Sequence, residues 1–380
     1  MRPSELPRPD PDALAASRTL LERIAAELAA RGNWISFARY MEMALHEPGL
    51  GYYSGGSAKL GAGGDFVTAP ELSPLFARTL ARQVAEALGA GDAVLEFGAG
   101  SGALAAALID ELRALDPGPH PYLILETSPQ LRERQRARVG DRARWIERLP
   151  ERFRGVLLAN EVADAMPVHA LAWSRSGIAE RGVCANEGEL AWCERPAEGE
   201  VLAAAREIDV ALPPSGRYES ELGLVAPAWM RSLGRSLERG AAIVIDYGFP
   251  QREYYHPQRS MGTLMCHYRH RAHGDPFYLP GLQDITAHVN FSALARAAGG
   301  SGLEVLGYAS QAQFLVNCGI TELLAREDPA DAARYAPLAA AANQMLSPAE
   351  MGELFKVLAV GRGATQPLAG FARGDRSHTL

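Results

Sequence analysis

A short apolar run, Val94-Leu95-Glu96-Phe97, ends in Gly98-Ala99-Gly100-Ser101-Gly102, and an apolar helical pattern begins at once. That order reads as a strand, a tight turn and a helix N-terminus. Glycines let the backbone approach a ligand closely, and the free N–H groups of the first helical turn favour an anionic group. A second apolar run, Tyr122-Leu123-Ile124-Leu125, ends in Glu126. A carboxylate at that strand tip can accept hydrogen bonds from both hydroxyls of a ribose. A third run, Val156-Leu157-Leu158-Ala159, opens into Asn160 and Glu161, with Asp164 close behind. Ligands of open parallel sheets bind at the carboxyl ends of strands, where an amide and carboxylates could face a reacting group. Two ligand classes suit this set, dinucleotides and S-adenosyl-L-methionine.

Spacing separates the two. A dinucleotide turn wants Gly-x-Gly-x-x-Gly, with its acid about 20 residues on. Here the third glycine comes one residue early, and Glu126 lies 28 residues after Gly98. The form Glu-x-Gly-x-Gly-x-Gly, with Glu96 leading, resembles the first motif of Rossmann-like methyltransferases. S-adenosyl-L-methionine has no pyrophosphate to cradle, so its turn need not keep the dinucleotide spacing. Plainer roles stand beside these: a bare strand-to-helix turn, a solvated Glu126, Asn160 as a helix N-cap and Asp164 as a first-turn acid.

Composition narrows the class. The chain has 380 residues, enough for one large domain or two, with 47% hydrophobic and 22% charged residues, as in ordinary globular enzymes. A net charge of −7 argues against a dedicated nucleic-acid binder. Only Lys59 and Lys356 are lysines, so arginine carries nearly all the basic charge. Cys184, Cys193, Cys266 and Cys318 show no metal or disulfide spacing and fit a reducing compartment. No apolar run is long enough to span a membrane, so no membrane insertion is expected. The start of the chain lacks the hydrophobic segment of a signal peptide, and Glu5 and Asp10 do not suit a transit peptide. These points predict a cytoplasmic protein.

The elements that must position the chemistry follow from periodicity. Helices are expected at 12–30, 35–45, from Ser73 to about Leu88, 101–115, 128–138 and 225–238. Trp34, Phe37 and Tyr40 read as core. Strands are expected at 93–97, 122–126, 143–146, 156–160, 242–247, 303–308 and 354–360. Short apolar strands alternating with helices predict an α/β fold: a Rossmann-like sheet with helices on both faces. Residues 1–92 read as N-terminal helices with a Gly-rich lid loop from Pro48 to Asp65. Residues 93–365 read as the Rossmann-like domain. It carries insertions at about 168–240, a small β meander plus helix, and at 249–299. Residues 366–380 read as a flexible tail.

Further motifs stand in order along the chain. They are Gly64-Asp65-Phe66-Val67-Thr68-Ala69-Pro70-Glu71, Leu125-Glu126-Thr127-Ser128-Pro129, Ile245-Asp246-Tyr247-Gly248, Gly262-Thr263-Leu264, Asp284-Ile285-Thr286-Ala287-His288-Val289-Asn290-Phe291 and Met351-Gly352-Glu353-Leu354-Phe355-Lys356-Val357. Together with the glycine turn and Asn160-Glu161, they resemble the MidA-like methyltransferases over roughly residues 34–362. Mitochondrial members of that family are complex I assembly factors associated with arginine dimethylation. The resemblance implies a Rossmann-like fold and S-adenosyl-L-methionine as cofactor. It implies that Glu96, Gly98, Gly100, Ser101 and Gly102 face the cofactor, that Glu126 holds its ribose, and that Asp65 to Thr68 close over it. It implies Asn160 and Glu161, with Asp164 second, as catalytic residues. Asn290 stands where many relatives carry Asp, which removes one carboxylate for a cationic substrate.

The expected reaction is direct in-line methyl transfer to a protein side chain, arginine by resemblance. No nucleic-acid partner is expected, and a homodimer is allowed. His267, His270 and His273, with Cys266 and His256 nearby, invite a metal reading. Arg269 and Arg271 between them oppose it, so no metal is expected. Two rivals remain: a cofactor-sensing assembly chaperone without catalysis, and a nicotinamide-dependent oxidoreductase.

Overall fold

The computed structural model describes residues 6–55, 68–363 and 367–380. Among the described residues the chain forms two compact units. One takes 6–55, 164–226 and 249–290, and the other takes 68–163, 227–248 and 291 onward.

The second unit is built on a sheet of seven strands: β1 (Ala93–Phe97), β2 (Tyr122–Leu125), β3 (Arg144–Ile146), β4 (Phe153–Asn160), β5 (Leu237–Phe249), β6 (Glu304–Ser310) and β7 (Phe355–Arg362). Their order is β6-β7-β5-β4-β1-β2-β3. Pairing is parallel from β5 through β3, and β7 runs antiparallel to both of its neighbours. Adjacent residues, which point to opposite faces, are buried alike: Val94 and Leu95, Val156 and Leu157, Ile243 and Val244, Val357 and Leu358. A strand buried on both sides needs cover on both sides, and this is why these runs read as continuously apolar. One face packs on Leu75, Phe76, Leu80 and Val84 of helix Pro74–Ala87 and on Leu104 and Leu108 of helix Ala103–Leu115. Ser73 caps the first of these helices by accepting from Leu75 N, with proline at its start, as the sequence suggests.

The strand order reverses once at its centre. β1, β2 and β3 step outward on one side, and β4 returns to the other side of β1. The crevice over the carboxyl ends of β1 and β4 is therefore the topological switch point, where such sheets bind ligands.

The other unit is antiparallel. The expected meander is present as Val168–Ser174, Gly177–Asn186 and Glu189–Pro196, and Arg217–Gly223 and Ile35–Ser36 join its sheet. A three-stranded sheet orders Arg271–His273, Met265–Tyr268 and Asp284–Thr286. Leu20, Ile24 and Leu28 of helix Pro11–Ala30 pack there with Phe37, Tyr40 and Met41 of helix Phe37–His46.

Three expectations need correction. The division at residue 92 is replaced by the two units, because helix Pro74–Ala87 packs into the core of the large sheet. The tail is packed where fraying was expected: Leu368 and Phe371 are buried, Arg376 N donates to the Tyr308 carbonyl, and Asp375 accepts from Tyr308 N at 2.9 Å. Cys184 and Cys193 form a disulfide with Cα atoms 6.0 Å apart. The hairpin turn at Glu187 and Gly188 folds their strands together, so a spacing that looks unpaired becomes a diagonal cross-strand pair.

Candidate functional site

Gly98, Gly100 and Gly102 all have positive φ, at 58°, 53° and 82°. The left-handed region penalises any residue with a Cβ, so the turn requires glycine there. At Gly102 a Cβ would also crowd Gln135 and Val139 at 3.3 Å. The turn leads into helix Ala103–Leu115, whose first N–H groups have no partner within the helix. The backbone is thus bare and donor-rich where a ligand at the switch point would lie.

Glu126 follows β2 and is buried. Its Oε1 accepts from Ser128 N at 2.9 Å, and its Oε2 accepts from Gln135 Nε2 at 2.9 Å. Thr127 N also bonds to this carboxylate, which leaves lone-pair capacity for a ligand hydroxyl. Burial raises its pKa, while the Ser128 and Gln135 hydrogen bonds oppose the rise. Gln135 also donates to the Gly100 carbonyl at 3.1 Å and accepts from Trp145 Nε1 at 2.8 Å. It ties the carboxylate to the glycine turn. Local spacing gave no sign of Gln135, because it reaches both from a helix that reads as solvated.

Glu96 lies beneath the turn. Tyr122 donates its hydroxyl to Glu96 Oε2 at 2.6 Å. Burial pushes the Glu96 carboxyl up to about 7, against the Tyr122 hydrogen bond and with the charge of Glu126. This shift fixes a sign. Below its ordinary value of 4.5 both folded and unfolded states hold the proton, and stability is complete. Between 4.5 and about 7 only the folded state holds it, so stability falls as pH rises and the loss is complete above the folded value. Glu96→Gln keeps an acceptor for Tyr122 and removes the titration. The denaturant midpoint of the variant will fall less steeply with pH across that window than that of wild type, and will be higher at neutral pH. An unchanged slope would refute the assignment.

Ser101 bonds to Glu71, and Arg138 bridges both side chains. Glu71 belongs to the short helix Ala69–Leu72, so this triad pins the segment beginning at Thr68 to the glycine turn. Thr68 precedes that helix without a side-chain cap bond, and Asp65 lies outside the described residues.

At the end of β4, Asn160 Nδ2 donates to Glu161 Oε1 at 3.1 Å. Glu161 has φ +52°, in the left-handed region that a side chain disfavours by about 1–3 kcal/mol. Two bonds hold it there. Glu161 N donates to the Ile245 carbonyl at 2.9 Å, and the fully buried Asp246 accepts from Ala163 N at 3.0 Å. No helix follows Asn160, so neither it nor Asp164 is a helix-capping residue. Asp164 belongs to the other unit. There Tyr53 donates its hydroxyl to Asp284 Oδ1 at 2.9 Å, and burial, then the charges of Asp284 and Asp164, raise the Tyr53 pKa.

The histidine segment is a hairpin, with Arg269 and His270 at its positive-φ turn and His267 and His273 on its two strands. No group of three or more metal-ligating side chains occurs among the described residues.

Residues 76–309 match the family of S-adenosyl-L-methionine-dependent methyltransferases. The chain belongs to this family. It is 30% identical over 390 residues to the mitochondrial protein arginine methyltransferase NDUFAF7 of Danio rerio, covering 90% of this chain and 87% of that one. Identity to the Rattus norvegicus protein of the same name is 28% over 372 residues, covering 86% and 80%. A crystal structure from Burkholderia thailandensis, bound to S-adenosyl-homocysteine, superposes with a TM-score of 0.94 at 53% identity, covering 99% of this chain and 100% of that one. The cofactor of this methyltransferase is S-adenosyl-L-methionine, and the nicotinamide reading falls away. The residues present fit such a cofactor: a bare, donor-rich glycine turn and a buried carboxylate at the tip of β2. One expectation is overturned: these relatives are named as mitochondrial proteins, against the cytoplasmic reading of the sequence.

Proposed function

We propose that this methyltransferase modifies an arginine side chain of a protein substrate. In this reading Gly98, Gly100, Ser101 and Gly102 line the cofactor and Glu126 binds its ribose hydroxyls. Glu96 braces the turn from below, and the segment of Asp65 and Thr68 covers the ligand. Asn160 and Glu161 serve the transferred methyl and its acceptor. The sulfonium supplies an electrophilic methyl, whose carbon–sulfur bond breaks as the nitrogen–carbon bond forms.

The observation that carries the reading is Glu161, held in a strained backbone conformation at the switch point with its carboxylate fixed by Asn160. Strain of this kind persists where the surrounding structure enforces it, and it clusters at reacting sites. An arginine guanidinium stays protonated in water. A carboxylate can hold its planar fork and concentrate lone-pair density on one nitrogen. The same carboxylate takes the proton that this nitrogen sheds when the methyl arrives. The names of the relatives support arginine as the acceptor.

The test is labelled methyl transfer. The purified protein is incubated with methyl-labelled S-adenosyl-methionine and an extract of cells lacking it, and the modified residue is located by mass spectrometry. Label on arginine is expected. Label on another side chain would contradict the acceptor, and no label under cofactor-saturating conditions would favour the assembly chaperone.

A further inference from the structure

Helix Pro129–Val139 is rich in arginine, and only Gln135 and Val139 are buried in it. Gln135 is completely buried. Burying an amide is costly unless its polar atoms are paired. Gln135 Nε2 donates to Glu126 Oε2 at 2.9 Å and to the Gly100 carbonyl at 3.1 Å, and its Oε1 accepts from Trp145 Nε1 at 2.8 Å. An indole N–H can only donate, so the amide has one orientation. Turned over, its oxygen would face a carboxylate and a carbonyl, and its NH2 would face the indole N–H. Trp145 sits on β3 at the register position opposite Ile124, and the Arg136 guanidinium lies over its ring, 5.3 Å from the centroid.

The other donors to Glu126 are local. Ser128 N and Thr127 N belong to the turn that follows β2, and they move with the carboxylate. Gln135 comes from the next helix, and of these three donors it alone also bonds to the glycine turn. The approach is close, since a Cβ on Gly102 would lie 3.3 Å from Gln135 Cα. The third glycine therefore makes room for this residue as well as for the turn. All of these residues lie in the unit of the large sheet.

A carboxylate that reads a ribose must present both oxygens in the plane of the two hydroxyls. A carboxylate free to rotate meets them in only a fraction of its orientations, and fixing it beforehand removes that cost. We propose that Gln135, set in place by Trp145, is a positioning residue for ribose recognition: it fixes the plane of the Glu126 carboxylate relative to the glycine turn, so that both hydroxyls are met at once. The proposal rests on Glu126 as the ribose carboxylate in the reading above, and it adds what makes that carboxylate selective.

Calorimetry with S-adenosyl-homocysteine and with its analogue lacking both ribose hydroxyls tests this. Wild type is expected to prefer the diol by about 100-fold. Gln135→Met keeps the length of the buried side chain and removes its amide. Its preference is expected to fall to about ten-fold or less, while its affinity for the dideoxy analogue stays within about three-fold of wild type. Trp145→Phe keeps an aromatic ring and frees the amide, and its preference is expected to fall in the same direction by a smaller factor. Circular dichroism and melting temperature matching wild type certify each fold. A residue that only packs the helix would weaken both ligands by the same factor. That result in Gln135→Met, or an unchanged preference, would overturn the proposal. Should Gln135→Met fail to fold, an unchanged preference in Trp145→Phe would overturn it. Glu126→Ala tests the premise. No preference for the diol in wild type, or a full preference in Glu126→Ala, would overturn the ribose reading and the proposal with it. Loss of preference in Glu126→Ala but not in Gln135→Met would leave the reading standing and remove Gln135 from it.

Discussion

Glu126→Ala will bind S-adenosyl-homocysteine roughly 100-fold more weakly than wild type while keeping its fold. The carboxylate is buried at the tip of β2, and both oxygens are oriented by Ser128 N and Gln135 before any ligand arrives. A hydrogen bond to a charged group contributes roughly 1.5–3 kcal/mol, so losing two ribose hydroxyls reaches about two orders of magnitude. The change also leaves Ser128 N without its side-chain acceptor, but Gln135 keeps the Gly100 carbonyl and Trp145. The glycine turn therefore stays in place, and the loss falls on binding.

The second large effect falls on transfer. Glu161→Gln is expected to bind S-adenosyl-homocysteine as wild type does and to lose methyl transfer by roughly 100-fold or more. The amide is the same size, and its oxygen still accepts from Asn160 Nδ2. Only the charge is gone, which in the proposed mechanism holds the guanidinium and takes its proton. Single-turnover transfer of labelled methyl, measured beside calorimetric affinity, separates the two. Transfer at the wild-type rate would remove Glu161 from the chemistry.

The strand–glycine turn–helix unit was legible because its signals are local. Alternate glycines after an apolar run can do little else than turn a strand into a helix, and the strands of the large sheet are apolar on both faces. The meander strand Val168–Ser174 was readable from its period. The strand Arg217–Gly223 was not, because its Arg, Glu and Ser break the apolar alternation; Glu221 is buried there because Thr263 and Leu264 N–H groups satisfy it. Helix Ala332–Leu346 stands outside the expected helices; it contains Pro337, a residue that disfavours a helix interior. Tyr53, Asp164 and Asp284 carry no mutual spacing signal, since chain folding alone brings them together. The Cys184–Cys193 pair fails for the same reason on a smaller scale. Compartment was misread because composition and charge do not encode it.

The most direct test of the central claim is a parallel calorimetric titration of wild type and Glu126→Ala with S-adenosyl-homocysteine and NAD⁺. The account predicts that wild type binds the adenosyl ligand and not NAD⁺, and that the variant loses most of that affinity. Unchanged S-adenosyl-homocysteine affinity in a folded variant, or tight binding of NAD⁺ by wild type, would contradict it.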